Sequence, residues 1–216
     1  PLRIGIVAEV AEGRPIDAER AEAVRHAAAV LAAAGHSLHP VDPARLAPLN
    51  RAATLVFDRI IATNLARNMP DLAKVEPLTA AVARRGLAMT ARDYQDAEMT
   101  AVRTAHALWR LFDEVDILLT PMLSGPPLPI GSFPSDHDDV ELQWRRMGDF
   151  APYAMLANVA GTPALSVPHG SDTAGLPLAV QLIGPMASDG LLLRLARILE
   201  TAQPWSFRHA VAGMPA

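Results

Sequence analysis

The stretch VDILLTP, residues 115–121, is a largely apolar run that a proline ends. A short apolar run without polar alternation is typical of a strand that is buried on both faces. Pro121 lacks the backbone N–H that a sheet ladder requires, so the strand is expected to end there and lead into a loop. The pattern therefore predicts a central strand of a sheet.

The first 41 residues predict a strand, a helix and a second strand. Residues 2–8, LRIGIVA, are a β-branched run typical of a buried strand, and residues 38–41 predict another short strand. Between them Asp17 can cap a helix whose first turn holds glutamates, and Gly35 can end it. Strand, amphipathic helix and strand in this order indicate an α/β sheet.

Residues 43–113 have a helical pattern, and these helices are expected to cover the sheet. The best-marked of them is predicted to begin at a cap at Asp93 and to continue through Phe112, with apolar residues at 4-3-4 spacing. Breaks are expected at Pro48, Pro70, Pro77 and Gly86.

A proline-rich loop, residues 122–139, follows the central strand. Long loops on a rigid sheet commonly carry binding residues, so this loop is a candidate for function. Beyond it the sequence predicts a helix containing residues 144–158, closed by Gly161 and Pro163. Two strands, ALSVP and LAVQLIG, and a last helix capped by Ser188 complete the pattern.

Composition excludes several classes of protein. The 216 residues carry a formal charge of −4, and the 18 arginines and one lysine are spread along the chain, so no basic face for nucleic acid is expected. Without cysteine there is no disulfide, thiol nucleophile or cysteine-ligated zinc. No apolar run approaches the roughly 18 residues of a membrane span, and a cytoplasmic protein is expected. Because the sequence opens on Pro1 rather than methionine, we expect it to be part of a longer chain.

The stretch HGSD, residues 169–172, contains a histidine, a serine and an aspartate, the residue types of a nucleophilic triad, within four positions. A serine nucleophile needs a base within hydrogen-bond reach and a third group that orients the base, and adjacency in sequence supplies neither. Glycine, serine and aspartate, with Gly175 shortly after, are favoured in turns. The stretch is therefore interpreted as a turn between the last two strands.

Residues 136–139, DHDD, offer metal ligands, but contiguous residues rarely converge on one ion, and Asp138 or Asp139 serves equally well as a helix N-cap. No metal or cofactor is expected, since the sequence also lacks the glycine motifs that bind nucleotides. The pairs Arg84–Arg85 and Arg145–Arg146 are interpreted as solvated faces, and contact of the second pair with an acidic substrate stays open. The remaining histidines, expected at the surface or in satisfied packing positions, are His26, His36, His39, His106 and His209.

The block FAPYAMLANVAGTPALSVPHGSDTAGLPLAVQLIGP, residues 150–185, resembles the C-terminal signature region of the amidase signature family. In that family a helix ends in an Asn-x-x-Gly-x-Pro-Ala turn, which Asn158, Gly161 and Pro163 match. An S-V-P strand, a variable turn, Gly-Leu-Pro and a strand ending Gln-Leu-Ile-Gly follow in the same order here. VDILLTP and the opening strand and helix also resemble family segments, so the resemblance covers essentially the whole chain.

The resemblance implies a mixed β-sheet covered by helices, the C-terminal half of the family's α/β/α fold, with residues 1–216 as a portion of a single domain. Family members hydrolyse carboxamides with a serine nucleophile, a second serine that bridges through a cis peptide, and a lysine base, all upstream of the region seen here. This sequence has no Ser-Ser pair, and Lys74 lies in no matching motif, so no catalytic residue is assigned. The complete protein is expected to cleave amide C–N bonds through a serine acyl-enzyme.

For this half the resemblance implies a wall of the substrate pocket, formed by the loop after the central strand and by the helix and turn of the signature block. The substrate-binding residues expected on this basis are Met122, Leu123, Phe150, Met155, Asn158, Gly161 and Thr162. Asn158 and Gly161 are equally well explained by a helix C-cap, and Met155 by the core.

The expected partners are a small-molecule amide and the upstream half of the same protein or a partner chain. Homo-oligomerisation stays open, and neither nucleic acid nor membrane is expected. The alternatives are a freestanding non-catalytic binding or scaffold domain and one chain of a split amidase. Cut from its other strands, the sheet exposes an edge and an apolar face, so we expect isolated residues 1–216 to aggregate or to need a partner.

Overall fold

A mixed sheet lies at the centre of the computed structural model, which describes residues 1–11 and 13–205. Within these residues the strands are β1 Arg3–Ile6, β2 Ser37–Pro40, β3 Ile117–Pro121, β4 Ala164–Ser171 and β5 Pro177–Ile183. They form one five-stranded sheet in the order β2-β1-β3-β5-β4, with β1 parallel to both of its neighbours and β5 antiparallel to both of its own. The prediction that VDILLTP forms the central strand is confirmed, since β3 is third in this order and all five of its residues are buried.

Helices cover both faces of the sheet, which confirms the predicted α/β class. In the described residues they are α1 Ala18–Ala33, α2 Ala47–Asn68, α3 Pro77–Ala88, α4 Ala91–Leu111, α5 Val140–Phe150, α6 Ala154–Ala160 and α7 Asp189–Ala202. On one face α1 and α7 bury Val24 and Leu195 against β3 and β5. On the other face α4 and α6 bury Leu108 and Leu156, with α2 packed against both helices.

The helix α1 begins and ends where its cap signals predicted. The carboxylate of Asp17 accepts hydrogen bonds from the N–H groups of Glu19 and Arg20, at 3.1 and 3.3 Å. After the helix, Gly35 has a φ of 92°, a left-handed conformation that glycine adopts without strain. The helix α7 likewise begins after the predicted Ser188, although the serine side chain makes no capping hydrogen bond.

Three helix boundaries differ from the predictions. The predicted cap at Asp93 is wrong, because Thr90 is the N-cap of α4 and Asp93 completes a capping box from the third helical position. Pro48 does not break α2, since it lies in the first turn, where its missing N–H has no helical partner to lose. The single helix predicted over residues 144–158 is two helices, and α5 ends shortly before Pro152, which cannot continue the hydrogen-bond ladder.

Gly86 lies inside α3 rather than at a break. A Cβ at this position would lie 2.0 Å from the carbonyl oxygen of Ala62 in α2, so the two helices approach too closely for any side chain. The glycine is therefore needed for packing between α2 and α3 and does not end a helix.

We expect Gly86→Ala to lower the free energy of unfolding by about 1–3 kcal/mol, because an overpacked contact with backbone forces the helices apart. The matched control is Gly190→Ala in the first turn of α7, where the added Cβ meets nothing closer than 3.7 Å. Alanine favours a helix over glycine by up to about 1 kcal/mol, so this control should be neutral or stabilising. Urea unfolding of the complete protein measures both changes, and a Gly86→Ala protein as stable as the control would contradict the packing explanation.

Candidate active site at the carboxyl edge of the sheet

The carboxyl ends of β1 and β3 lie at the same edge of the sheet, because the two strands are parallel. The turn between β4 and β5 lies at this edge too, since Pro121 at the end of β3 pairs with Val180 and the first residues of the antiparallel β5 extend beyond it. Three segments therefore meet at this carboxyl edge: residues 7–11 with 13–17, residues 122–139 and residues 172–176. The crevice outside the carboxyl ends of strands is where α/β sheets commonly bind ligands.

Backbone hydrogen bonds hold the first turn of the loop that follows β3. Ser124 donates its N–H to the carbonyl oxygen of Phe150 at 2.9 Å, and its own carbonyl accepts the N–H of Asp17 at 2.7 Å. Further along the loop, Phe133 packs edge-on against Phe150, with ring centroids 5.9 Å apart. The loop is thus fixed to the start of α1 and to the end of α5.

A buried charge cluster connects the start of α1 with the β4–β5 turn. Arg20 is 4% exposed, and its guanidinium donates to the carboxylates of Asp17 at 2.9 Å and Asp172 at 3.1 Å. The hydrogen bond from Arg20 holds the pKa of Asp17 below its ordinary value. Beside this cluster Glu19 accepts the backbone N–H of Thr173 at 2.9 Å. We call Asp17, Arg20 and Asp172 the charge clasp.

The HGSD stretch leads into the turn that the sequence predicted. Asp172 accepts the N–H groups of Ala174 and Leu176, at 3.0 and 2.8 Å, and Gly175 has a φ of 79°. The hydrogen bond from Leu176, and then the one from Arg20, lower the pKa of the Asp172 carboxyl. Asp172 therefore serves the turn and the charge clasp, and it does not orient a base for a serine nucleophile.

His169 is 1% exposed and faces α1 from β4. Its Nε2 lies 2.8 Å from Nδ1 of His26, so one ring donates to the other, and its own Nδ1 is buried without a hydrogen-bond partner among the described residues. Burial, and to a smaller degree His26, lower the pKa of His169. No motif in the sequence indicated this pair of histidines. The available signal was strand alternation, since His169 follows the inward-facing Val167 by two residues.

Residues 1–193 match the model of the family described as Amidase. This chain belongs to that family. The Mycobacterium tuberculosis (strain ATCC 25618 / H37Rv) protein named "Putative amidase AmiB2" is 32% identical over 218 residues, which cover 96% of this chain and 45% of that protein. A subunit of glutamyl-tRNA(Gln) amidotransferase from Synechococcus sp. (strain WH7803) is 32% identical over 226 residues, covering 93% and 45%. Among solved structures, that of 6-aminohexanoate cyclic dimer hydrolase superposes with a TM-score of 0.78 at 26% identity, covering 94% of this chain and 45% of that one.

These comparisons confirm the family resemblance that the sequence indicated, and with it the fold class. The chain spans about half the length of the curated relatives it matches, 45% in both cases given. The sheet and its helices therefore correspond to one part of the proteins of this family.

Four of the substrate-binding residues expected from the amidase resemblance lie near the carboxyl edge or beneath it. Met122, Leu123 and Phe150 are half-buried in the loop after β3 and at the end of α5. Met155 is 8% exposed in the core between α6 and α2, where its sulfur accepts a hydrogen bond from the hydroxyl of Thr54 at 3.7 Å. The alternative that Met155 is a core residue is confirmed.

The other three expected residues lie toward the opposite end of the sheet. They precede Ala164, the first residue of β4, which is paired with Ile183 at the level of the start of β3. Gly161 ends α6 with a φ of 65°, and its N–H donates to the carbonyl of Asn158, which confirms the helix C-cap. The side chain of Asn158 is exposed, and the Thr162 hydroxyl is buried without a hydrogen-bond partner among the described residues.

Residues that the sequence singled out for other chemistry serve structural roles or lie apart from the edge. The side chain of Lys74 is 82% exposed and pairs with Asp71 at 3.2 Å. Asp139 is the N-cap of α5, as predicted, and accepts the N–H of Leu142 at 2.9 Å. Over the described ranges no three His, Asp or Glu side chains are grouped so as to hold a metal ion, and no helix has the length and apolarity to cross a membrane. His209 lies outside the described residues.

We expect the protein to lose stability as the pH falls from about 7.5 to about 5.5, in part through His169. An unfolded histidine has its ordinary pKa near 6.5, whereas burial lowers the pKa of His169 in the folded state. The unfolded state therefore binds the proton first, and it is favoured as the pH falls through that value. The fall in the urea midpoint should be smaller in His169→Gln than in the wild type or in His106→Gln, which changes an exposed histidine.

Other charged side chains share the groove around His169, namely Glu19, Glu22 and Arg25. They are common to the wild type and both variants, so comparing the three proteins removes their contribution. His26 also lines the groove and contacts His169 directly, so the measured difference belongs to the histidine pair. An equal fall in midpoint in all three would contradict the assignment to His169.

Proposed function

We propose that this chain is the C-terminal part of an amide hydrolase that works through a serine acyl-enzyme, with its catalytic serines and lysine in an upstream segment. The observation that carries the proposal is that a chain whose residues 1–193 match the Amidase family model covers 45% of the AmiB2 protein and 45% of the amidotransferase subunit. The sequence has no Ser-Ser pair, and its one lysine, Lys74, is exposed, which agrees with a catalytic centre supplied from elsewhere.

The reaction proposed for the complete protein begins when the serine oxygen attacks the carbonyl carbon of the amide. The base takes the serine proton and passes it to the leaving nitrogen as the C–N bond breaks, so that an amine or ammonia departs. Water then adds to the acyl-enzyme and releases the carboxylic acid and the free serine. Covalent catalysis replaces one high barrier by two lower ones, and preorganised N–H donors stabilise the oxyanion.

In this scheme the chain supplies strands of the sheet and one wall of the substrate pocket. Met122, Leu123 and Phe150 form that wall at the carboxyl edge, on segments that the hydrogen bonds of Ser124 fix in place. Of the other residues expected in the pocket, Met155 lies in the core, whereas Asn158, Gly161 and Thr162 lie toward the opposite end of the sheet, so their place in the pocket stays a prediction.

The sheet leaves two edges at which an upstream segment can add strands. Among the described residues β2 pairs with β1 alone and β4 with β5 alone, and all four residues of β2 are exposed. An unpaired edge presents N–H and C=O groups that a further strand can bind. This supports a protein in which the sheet continues beyond the strands of this chain.

A second candidate is one chain of a split amidase, completed by a separate polypeptide. The observation that favours it is the similarity to a relative whose name makes it one subunit of glutamyl-tRNA(Gln) amidotransferase. If the protein encoded by this reading frame hydrolyses amides only together with a separate, co-purifying polypeptide, this second candidate replaces the first.

Residues 1–216 alone should hydrolyse no amide above background, whereas the polypeptide encoded by the complete reading frame should. Mass spectrometry of the complete protein, trapped with a slowly hydrolysed activated ester, should place the acyl group on a serine outside residues 1–216. The control is Ser171→Ala in the complete protein, which should leave the rate unchanged because Ser171 ends β4 beside the turn. An acyl group on Ser171, or hydrolysis by residues 1–216 alone, would refute the proposal.

Isolated residues 1–216 should self-associate or aggregate, because the sheet edges and several large apolar side chains are exposed. Met99, Val102 and Trp109 on α4 are 47%, 60% and 47% exposed. Analytical ultracentrifugation of residues 1–216 beside the complete protein measures this difference. A monodisperse monomer of residues 1–216 that unfolds cooperatively would show the expectation to be wrong.

A further inference from the structure

A cleft of about 250 Å³ lies beside the segment that follows β1. Its three walls are that segment, the first two turns of α2 and the first two turns of α5. The cleft is smaller than the pockets that enclose a drug-sized ligand, so it has room for only one end of a substrate.

Arginine dominates the charge of this cleft. Arg14, Arg51 and Arg145 line it, each from a different wall, and the one carboxylate among its described lining residues is Glu141. Glu141 accepts a hydrogen bond from Arg85 at 2.8 Å, so its charge is compensated from outside the cleft. Arg14 is paired with Asp149 and Arg51 also has a partner, so the uncompensated positive charge among the described lining residues is that of Arg145.

The guanidinium groups differ in how they are held. Arg14 pairs with Asp149 at 3.2 Å and donates to the carbonyl oxygen of Gly148 at 3.3 Å, which fixes its position. Arg145 is exposed and makes no hydrogen bond or ion pair with any described residue, so its five donors are free for a ligand. A planar guanidinium matches a carboxylate through two parallel N–H bonds.

The wall formed by α2 adds two features that suit an anionic amide. The N-cap residue of α2 is Leu46, whose side chain cannot accept a hydrogen bond from the N–H groups of the first turn. The positive end of the α2 dipole is therefore not compensated by a capping side chain. Asn50 has a buried Oδ1 without a hydrogen-bond partner among the described residues, and an N–H group of a ligand would satisfy it.

We propose that this cleft binds a free carboxylate of the substrate, so that the enzyme acts on small amides that also carry a carboxylate. Arg145 is the residue that distinguishes these amides from neutral ones, and the start of α2 adds to the positive field. The carboxylate is assigned to a substrate on the basis of the proposed amide hydrolysis. The binding site itself is inferred from the residues of the cleft alone.

The test uses the protein encoded by the complete reading frame and two probes of the same chain length, succinamate, which carries a carboxylate, and butanamide, which does not. The indole N–H signal of Trp144, which lines the cleft, reports binding by NMR and is assigned with Trp144→Phe.

Succinamate should bind about tenfold or more tightly than butanamide. Arg145→Gln should weaken succinamate binding about tenfold and leave butanamide unchanged. Arg92→Gln, an exposed charge on α4 away from the cleft, is the matched control and should change neither.

Equal affinity for the two probes, or equal effects of Arg145→Gln and Arg92→Gln, would overturn the inference. Hydrolysis of both probes is measured on the same samples and separates this inference from the proposed function. Hydrolysis of both amides without preference for succinamate would refute the carboxylate site and leave amide hydrolysis standing. Preferential binding of succinamate that depends on Arg145, without hydrolysis of either probe, would support the site and refute the proposed function.

Discussion

The central strand β3 is the element on which the packing of the whole chain depends. Its side chains alternate between the two layers, with Ile117 and Leu119 in the core beneath α1 and α7 and Leu118 in the core beneath α4 and α6. Its backbone pairs with β1 on one side and with β5 on the other. Because the elements before and after β3 meet it from opposite sides, neither part can complete its core without this strand. A strand under that constraint is largely apolar, and its one polar residue, Thr120, donates a hydrogen bond to the Oε1 of Gln181 on β5 at 3.2 Å.

The charge clasp holds the carboxyl edge of this sheet in one arrangement. Asp17 makes three contacts in this arrangement. Its carboxylate caps α1 and binds Arg20, and its N–H donates to the carbonyl of Ser124 in the loop after β3. Arg20 extends the connection to Asp172, 152 positions away in the sequence. Removing one member of a buried ion pair leaves an uncompensated charge, so the start of α1, the loop and the turn are confined to geometries that keep all members bound. Binding loops on such a support are preorganised by charge as well as by apolar packing.

The features that could be predicted from the sequence are those with a local cause. Asp17 and Gly35 delimit α1 because a cap carboxylate and a left-handed glycine act on their own helix termini. Features that depend on distant contacts could not be predicted in the same way. Gly86 has the sequence context of a break, and only the approach of Ala62 from another helix shows that it is a packing residue. The contact between His169 and His26 could not be predicted from the HGSD stretch, because His26 lies on α1. The residues assigned to the pocket by resemblance lie at two ends of the sheet, because β4 begins at the end opposite the carboxyl edge.

The positive charge of the arginine-lined cleft depends on a residue that does not line it. Arg85 is more than the solvated charge that its sequence context predicted, since it pairs with Asp58 on α2 at 3.5 Å and with Glu141 on α5 at 2.8 Å. Asp58 also accepts the indole N–H of Trp144, and that ring packs edge-on against Phe57 with centroids 5.5 Å apart. The same contacts that join α2, α3 and α5 therefore neutralise the carboxylates beside the cleft and leave the guanidinium of Arg145 available to a ligand. It follows that the charge preference of the cleft can change through residues such as Arg85, which do not line the cleft, without any change in the sheet that this chain shares with other members of its family.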